Sequence, residues 1–583
     1  MLYPQNNKKR NSINLSGFWN FQKDPQQKGE EELWYKGLPH PREIAVNASW
    51  NEQYIDLFQY FGKGWYQTHA FIPENWNESI WLRIGAVFYK AQVWIGNHYL
   101  GLHEGGSLPF EYDISSFVQV GCENRITVLV DGTLDPWGLP QSLLTDHKEE
   151  RTGFVDAYPA VNYDFYPYAG IHRPVVLYHC PKNRIEQIKI TTTFTKVNNQ
   201  FNATIHALIE TTHPFTGSII VSCKGEEVQK KNPQENKTPL DLNLTDVILW
   251  DMKNPALYDL VVTLVQSEGE IVDTYRQAFG IRSIEIQENA LLLNGKKIFL
   301  KGFGKHEDLA IIGKGLSPSS IVKDFDLMHW IGANSLRTSH YPYSEEFLSY
   351  ADRHGMLVIG ETPFVGLRER MYTKEISHKA NDIIKQMITR DFNHPCIIAW
   401  SLANEPVVQT EKGKIFFKSM SETAKREDAS RPVMYVAHMD AQDNVGMEYY
   451  DLLGINKYYG WYIGPGQIDQ AQKAISDCLD TFHSAFKKPM ILTEFGADAV
   501  EGMHQLPATM FSEEYQSKTI ELTYHIATTK SYIVGAHVWC FADFMTSQSI
   551  ARVGMNRKGV FTRERKPKMA AYTLRELWKE PKA

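Results

Sequence analysis

From about residue 290 onward, short apolar runs alternate with longer amphipathic stretches, and this alternation constrains the fold more than any other feature of the chain. The runs 298–302, 333–337, 356–360, 397–403, 433–437, 452–456, 490–493 and 534–539 have strand length and few charges, the pattern of strands covered on both faces. The stretches between them are punctuated as helices. Ser317 and Pro318 supply an N-cap and a first helical position, and Gly332 closes the far end. Ser344 with Glu345 and Glu346 opens the next helix, and Arg353, His354 and Gly355 close it, each charge matched to the helix dipole. Alternating strands and helices demand a parallel sheet, and eight such units predict a (β/α)8 TIM barrel.

With 583 residues the chain is too long for one core, and about three domains are expected. Residues 1–183 carry short aromatic and β-branched runs, such as 64–72, 80–84 and 90–95, with a hairpin turn at Gly96 and Asn97. They predict an all-β jelly roll. Residues 184–280 hold strands alternating at period two, as in 184–193, and predict an immunoglobulin-like sandwich. Residues 281–583 are assigned to the barrel.

Two of the barrel runs end in the same way. The run 397–403 stops at Asn404, Glu405 and Pro406, and the run 490–493 stops at Glu494. Proline cannot extend a central strand, so Glu405 lies at a strand's C-terminal end. Residues at that end line the mouth of such barrels. A carboxylate there is costly to bury without a partner or a task. A pair of them suits acid–base and nucleophilic work at a glycosidic bond, and a structural ion-pair network is the alternative. His340, Glu361, Asn456, Tyr458 and Trp539 fall at the same rim, although Trp539 also fits barrel core.

Composition narrows the partners. The net charge of −7 offers no excess cation for a nucleic acid. The six cysteines are scattered without a CxxC pair, as expected of free thiols in a reducing compartment. The first residues lack the apolar region of a signal peptide, and no apolar run approaches the ~18 residues of a membrane span. A cytoplasmic protein with no membrane partner is expected. A metal-dependent hydrolase using His306, Glu307, Asp308, His340 and His354 is disfavoured, because their spacing matches no helical ligand motif.

The segments 302–308, 330–343 and 400–406, with 456–462, 493–496 and 539–544, closely resemble glycoside hydrolase family 2. Segments 164–173 and 250–258 extend the resemblance to nearly the whole chain. It implies the domain order read above, with Glu405 as acid/base and Glu494 as nucleophile of a retaining hydrolase. It implies Asn404 on the sugar 2-hydroxyl, Tyr458 orienting Glu494, and Asp164 reaching in from the first domain. His340, Asn456, Tyr462, Trp539 and Arg552 complete the implied pocket. Asn556 and Lys558 resemble the Asn-x-Lys element of the family's glucuronide-cleaving branch. A cation beside an amide donor suits a sugar acid's C6 carboxylate. On composition alone the same stretch reads as a basic surface turn, because Arg557, Arg563, Arg565, Lys566 and Lys568 crowd it. Galactoside, mannoside and galacturonide hydrolases on the same fold, and a non-catalytic sugar-binding protein, are the other readings. The resemblance implies no metal or cofactor and a homodimer or homotetramer. Residues 362–393 are short where some relatives carry a long insertion, which implies an open mouth suited to larger glucuronides.

Overall fold

The computed structural model describes residues 2–143 and 157–579. The first part is a jelly roll. A four-stranded sheet of Asn11–Asn14, Val175–Cys180, Ser79–Ile84 and Phe110–Asp113 faces a six-stranded sheet of Arg42–Val46, Gly17–Asp24, Lys63–Ile72, Cys122–Asp131, Lys90–Ile95 and His98–Glu104. Trp19, Trp50, Phe21, Tyr66 and a set of isoleucines and valines fill the space between. The second part is a sandwich of Ile185–Val197, Gln200–Thr211 and Lys237–Val247 against Glu226–Lys231, Ser218–Cys223, Tyr258–Val265 and Ile271–Phe279. Alternate residues of 237–244 are buried, the two-residue period of a half-covered sheet.

The third part closes into an eight-stranded parallel barrel: β1 (Leu300–Lys305), β2 (Ser335–Thr338), β3 (Leu357–Glu361), β4 (Ile397–Asn404), β5 (Val433–Ala437), β6 (Leu453–Asn456), β7 (Met490–Glu494) and β8 (Ile533–Trp539). All eight residues of β4 are buried, as its unbroken apolar run requires. The helix punctuation holds: the Ser317 and Ser344 hydroxyls accept backbone N–H bonds at the two N-caps, and Gly332 and Gly355 close the helices at φ 87° and 66°. Gly304 on β1 leaves room for Trp539 of β8, since a Cβ there would lie 2.6 Å from the indole.

Two barrel strands start two residues later than the sequence reading, the second at Ser335 rather than Ala333. The first barrel strand starts at Leu300 rather than Ile298, because Lys296–Ile298 pairs with Ala290–Leu293 in a separate three-stranded sheet before the barrel. No helix among the described residues is long and apolar enough to cross a membrane.

The first domain is bolted to the barrel mouth. Arg563, 8% exposed, donates to Asp308 of the barrel at 2.5 Å and to Glu52 of the first domain at 2.7 Å. Arg173 of the first domain reaches Glu307 at 3.1 Å and the Pro342 carbonyl at 2.7 Å. Removing one member of a buried ion pair strands the other, which costs about 3–5 kcal/mol. Arg563→Met is therefore expected to lower the unfolding free energy from urea titration by an amount in that range; an unchanged unfolding curve would show that the junction does not depend on it.

Candidate active site

Glu405 follows the last residue of β4 in the left-handed region, φ 50°, and its N–H donates to the Val436 carbonyl of β5 at 2.8 Å. A non-glycine residue is held there at a cost, which a functional position sustains. Its carboxylate is partly exposed and accepts from Asn456 Nδ2 at 2.8 Å. The same amide group reaches Asn404 Oδ1 at 3.2 Å, and Asn456 Oδ1 accepts from the Thr493 hydroxyl at 2.8 Å. Asn456 thus links the ends of β4 and β7 through β6.

Glu494, 4% exposed, ends β7. The Tyr458 hydroxyl donates to its Oε2 at 2.7 Å, and the Arg337 guanidinium pairs with its Oε1. Burial pushes the Glu494 carboxyl above its ordinary range and the Glu405 charge adds to this; Arg337, His340 and the Tyr458 hydroxyl pull it back. Arg337 is fully buried and is divided between acids, since it also donates to both oxygens of Glu361 at 2.7 Å. Glu361 accepts further from the Ser401 hydroxyl and from His340 Nδ1, both at 2.7 Å. Burial pushes Glu361 up, but Arg337, His340 and Ser401 outweigh it and hold the acid below its usual range. The His340 ring stacks on Trp539 at 5.0 Å, which places Trp539 on the site's floor rather than in the barrel core alone.

A second polar group lies beside this pair. Lys558 Nζ donates to the Tyr462 hydroxyl at 2.9 Å and pairs with Asp498. The Tyr462 and Tyr458 rings are 5.2 Å apart, so Lys558 is one aromatic layer from the phenol on Glu494. Asn556 Nδ2 donates to Asp164 at 2.8 Å, and Arg552 holds the same carboxylate through two donors. Asp164 comes from the first domain. Its loop is laid against the barrel by the Tyr158–Gln548 bridge and by the Tyr166 N–H to the Met545 carbonyl at 2.9 Å.

The surface-turn reading of the basic stretch is overturned for three of its five cations, while Lys566 is exposed and Arg557 partly so. Arg563, Arg565, Lys568 and Lys558 are 8%, 7%, 1% and 1% exposed, and each pairs with a buried acid. The histidines of the metal reading do not form one group: His306 faces the Tyr341 hydroxyl at 3.2 Å, and His354 stacks on Tyr350 at 4.0 Å. Two residues central to the site had been given no role. Arg337 stood inside a predicted strand, and a charge in an apolar strand was signal enough to single it out. Asp498 lies four positions beyond Glu494 with no motif to mark it.

Two acids at the ends of β4 and β7, one gripped by a cation and a phenol and the other set against an amide at a partly exposed edge, are the arrangement that glycoside hydrolysis by two carboxylates calls for. Comparison with known proteins agrees. Residues 13–181 match the family 2 sugar binding domain, 183–282 the family's second domain and 284–582 its TIM barrel domain. The chain belongs to glycoside hydrolase family 2. It is 37% identical to a beta-glucuronidase of Paenibacillus borealis, over 100% of this chain and 99% of that one. It is 36% identical to the human beta-glucuronidase, covering 99% of this chain and 92% of that one. The solved beta-glucuronidase of Ruminococcus gnavus in complex with D-glucuronic acid superposes with a TM-score of 0.91 at 33% identity, each chain covered to 99%.

Tyr458→Phe removes a donor that favours the ionised form of Glu494. The acid limb of the kcat/KM profile is then expected to move to higher pH, with a fall in kcat of about ten- to hundred-fold, the loss of one bond to a charged group. An unmoved acid limb would separate Tyr458 from the state of Glu494.

Proposed function

We infer that this protein is a retaining exo-beta-glucuronidase, which hydrolyses beta-D-glucuronides to glucuronate and an aglycone or shortened glycan. The observation that carries the reading is the buried Lys558, with Asn556, set one aromatic layer from Glu494. A glucuronide differs from a glucoside by its C6 carboxylate, and an ammonium beside an amide N–H₂ is the matching receptor. The Ruminococcus gnavus enzyme, solved with D-glucuronic acid and with D-glucaro 1,5-lactone, supports the same ligand class.

Glu494 attacks the anomeric carbon while Glu405 gives its proton to the leaving oxygen. The new glycosyl ester removes the charge on Glu494. Glu405, now a carboxylate, takes a proton from water, which opens the ester and restores the starting configuration. A retaining pair stands about 5 to 5.5 Å apart. Asn456 holds the Glu405 carboxylate in place through its amide group. Asn404 is set to bond the sugar 2-hydroxyl, a contact that strengthens in the transition state. Arg552 and Asp164 face the ring's other hydroxyls, and His340 with Trp539 forms the floor.

On a panel of aryl glycosides, the glucuronide is expected to be cleaved far faster than the galacturonide, galactoside, glucoside and mannoside, with the beta anomer of glucuronate appearing first by NMR. Glu405→Ala and Glu494→Ala each lose several orders of magnitude in kcat with the fold intact. Lys558→Ala lowers the glucuronide-to-glucoside ratio by roughly ten- to hundred-fold, the worth of a charge-assisted bond. Equal loss on both substrates would remove Lys558 from carboxylate recognition.

The reading extends to a homodimer or homotetramer working in the cytoplasm. Family membership supports the assembly, and six unpaired cysteines support a reducing compartment. Light scattering after size exclusion is expected to give two or four times 67.0 kDa; a monomer mass would end that part of the reading.

A further inference from the structure

Asp498 is 2% exposed, and its carboxylate holds both parts of the turn that carries Lys558. Oδ1 accepts the Arg557 backbone N–H at 2.7 Å, and Oδ2 pairs with the Lys558 ammonium. Asn556 Oδ1 closes the same turn by accepting the Lys558 N–H at 3.0 Å. The remaining surroundings of the ammonium are aromatic. The Tyr462, Trp461 and Tyr458 ring centres lie 4.6, 5.0 and 5.7 Å from Nζ.

Every neighbouring charge has its own partner. Arg552 Nη1 is 3.9 Å from Asp498, but that guanidinium is held by Asp164. The Arg557 guanidinium is 3.9 Å from Asp543, and Lys568 donates to Asp543 at 2.8 Å. The thiol of Cys540 is kept neutral by burial. Among the described residues, the carboxylate in contact with Lys558 is Asp498.

We propose that Asp498 is a specificity-determining positioning residue, whose carboxylate fixes the Lys558 ammonium so that the pocket reads a substrate carboxylate. The inference rests on the glucuronidase reading above. The physical reason is desolvation. A lysine that is 1% exposed and deprived of its counter-charge sheds its proton as pH rises. A neutral amine offers a weaker donor and no charge. The Asp498 carboxyl itself, although burial raises it, is held below its usual range by Lys558 and Arg552, so it stays ionised across the working range.

Asp498→Asn preserves shape and an acceptor but removes the charge. The expected result is a KM for an aryl glucuronide that climbs with pH, by about tenfold per pH unit above the lowered lysine pKa, with kcat altered less than KM. The parent enzyme lacks this climb, and the aryl glucoside shows the same pH trend in variant and parent. Asp498→Glu restores part of the flat profile. Should Asp498→Asn fold poorly, the double variant Asp498→Asn with Lys558→Met removes both buried charges; its glucuronide-to-glucoside ratio should equal that of Lys558→Met alone. A flat KM in Asp498→Asn, or effects that multiply in the double variant, overturns the proposal. If Lys558→Met leaves the ratio intact, the failure belongs to the reading of Lys558 rather than to Asp498.

Discussion

The site depends on one buried guanidinium. Arg337 has no exposed surface and stands between Glu361 and Glu494. A charge in that position is tolerable only when compensated, and two acids share the task, so Glu361 still pairs with it when Glu494 is replaced. The arrangement also sets the reactivity of Glu494. Glu361 occupies two of the donor contacts of Arg337, so the cation favours an ionised Glu494 without neutralising it outright. Burial works against ionisation, and the Tyr458 hydroxyl and the nearby His340 work for it. Electrostatic catalysis calls for a nucleophile whose charge is supported by preorganised groups rather than by water, and on the proposed mechanism Arg337, His340 and Tyr458 are those groups for Glu494.

The first domain is part of the site and not an appendage. Arg563 and Arg173 fix it to the barrel mouth, and this delivers Asp164 to Asn556 and Arg552. The same contacts bear on the crossover after β3. Twelve residues separate Glu361 from the next α-helix, Lys374–Asp391, so this crossover itself carries no long insertion. In its place Gln141 and Asn162 of the first domain bond the Gly366 carbonyl at 2.7 and 2.6 Å, and Arg370 reaches the Pro136 carbonyl at 2.6 Å. The short crossover is thus braced from outside the barrel. That side of the barrel mouth is built from two domains.

The architecture was legible because it follows from periodicity. Eight apolar runs and their helix caps specify a barrel whatever its chemistry, and alternation at period two specifies the sandwich. Glu405 and Glu494 were legible because each ends an apolar run, where a carboxylate stands out. What escaped was pairing. Lys558, Lys568, Arg563 and Arg565 looked like a solvated turn, because their acids, Asp498, Asp543, Asp308 and Asp324, lie up to 255 positions away in sequence. Arg337 escaped for a related reason: it lies within a short strand, and its partners Glu361 and Glu494 belong to other strands. Charge recognition across a barrel is a property of closure, and one-dimensional patterns do not record it.

Charge balance bears on how the proposed pocket would read a sugar acid. Lys558 is matched by Asp498 and Arg552 by Asp164, so the pocket is close to neutral before substrate arrives. On the proposed reading, a uronate entering it would find oriented donors in Asn556, Lys558 and the Tyr462 hydroxyl rather than a bare excess of positive charge. Strong net attraction would tighten substrate and product alike, which lowers KM without raising kcat. Oriented donors within an already compensated pocket select the carboxylate by geometry, and they let glucuronate leave when the aglycone has gone. The tyrosine pair ties this selection to the chemistry, since Tyr462 touches Lys558 and packs on Tyr458, whose hydroxyl holds Glu494. A sugar seated wrongly at C6 is seated wrongly at C1, so recognition of the acid and attack at the anomeric carbon are one geometric requirement.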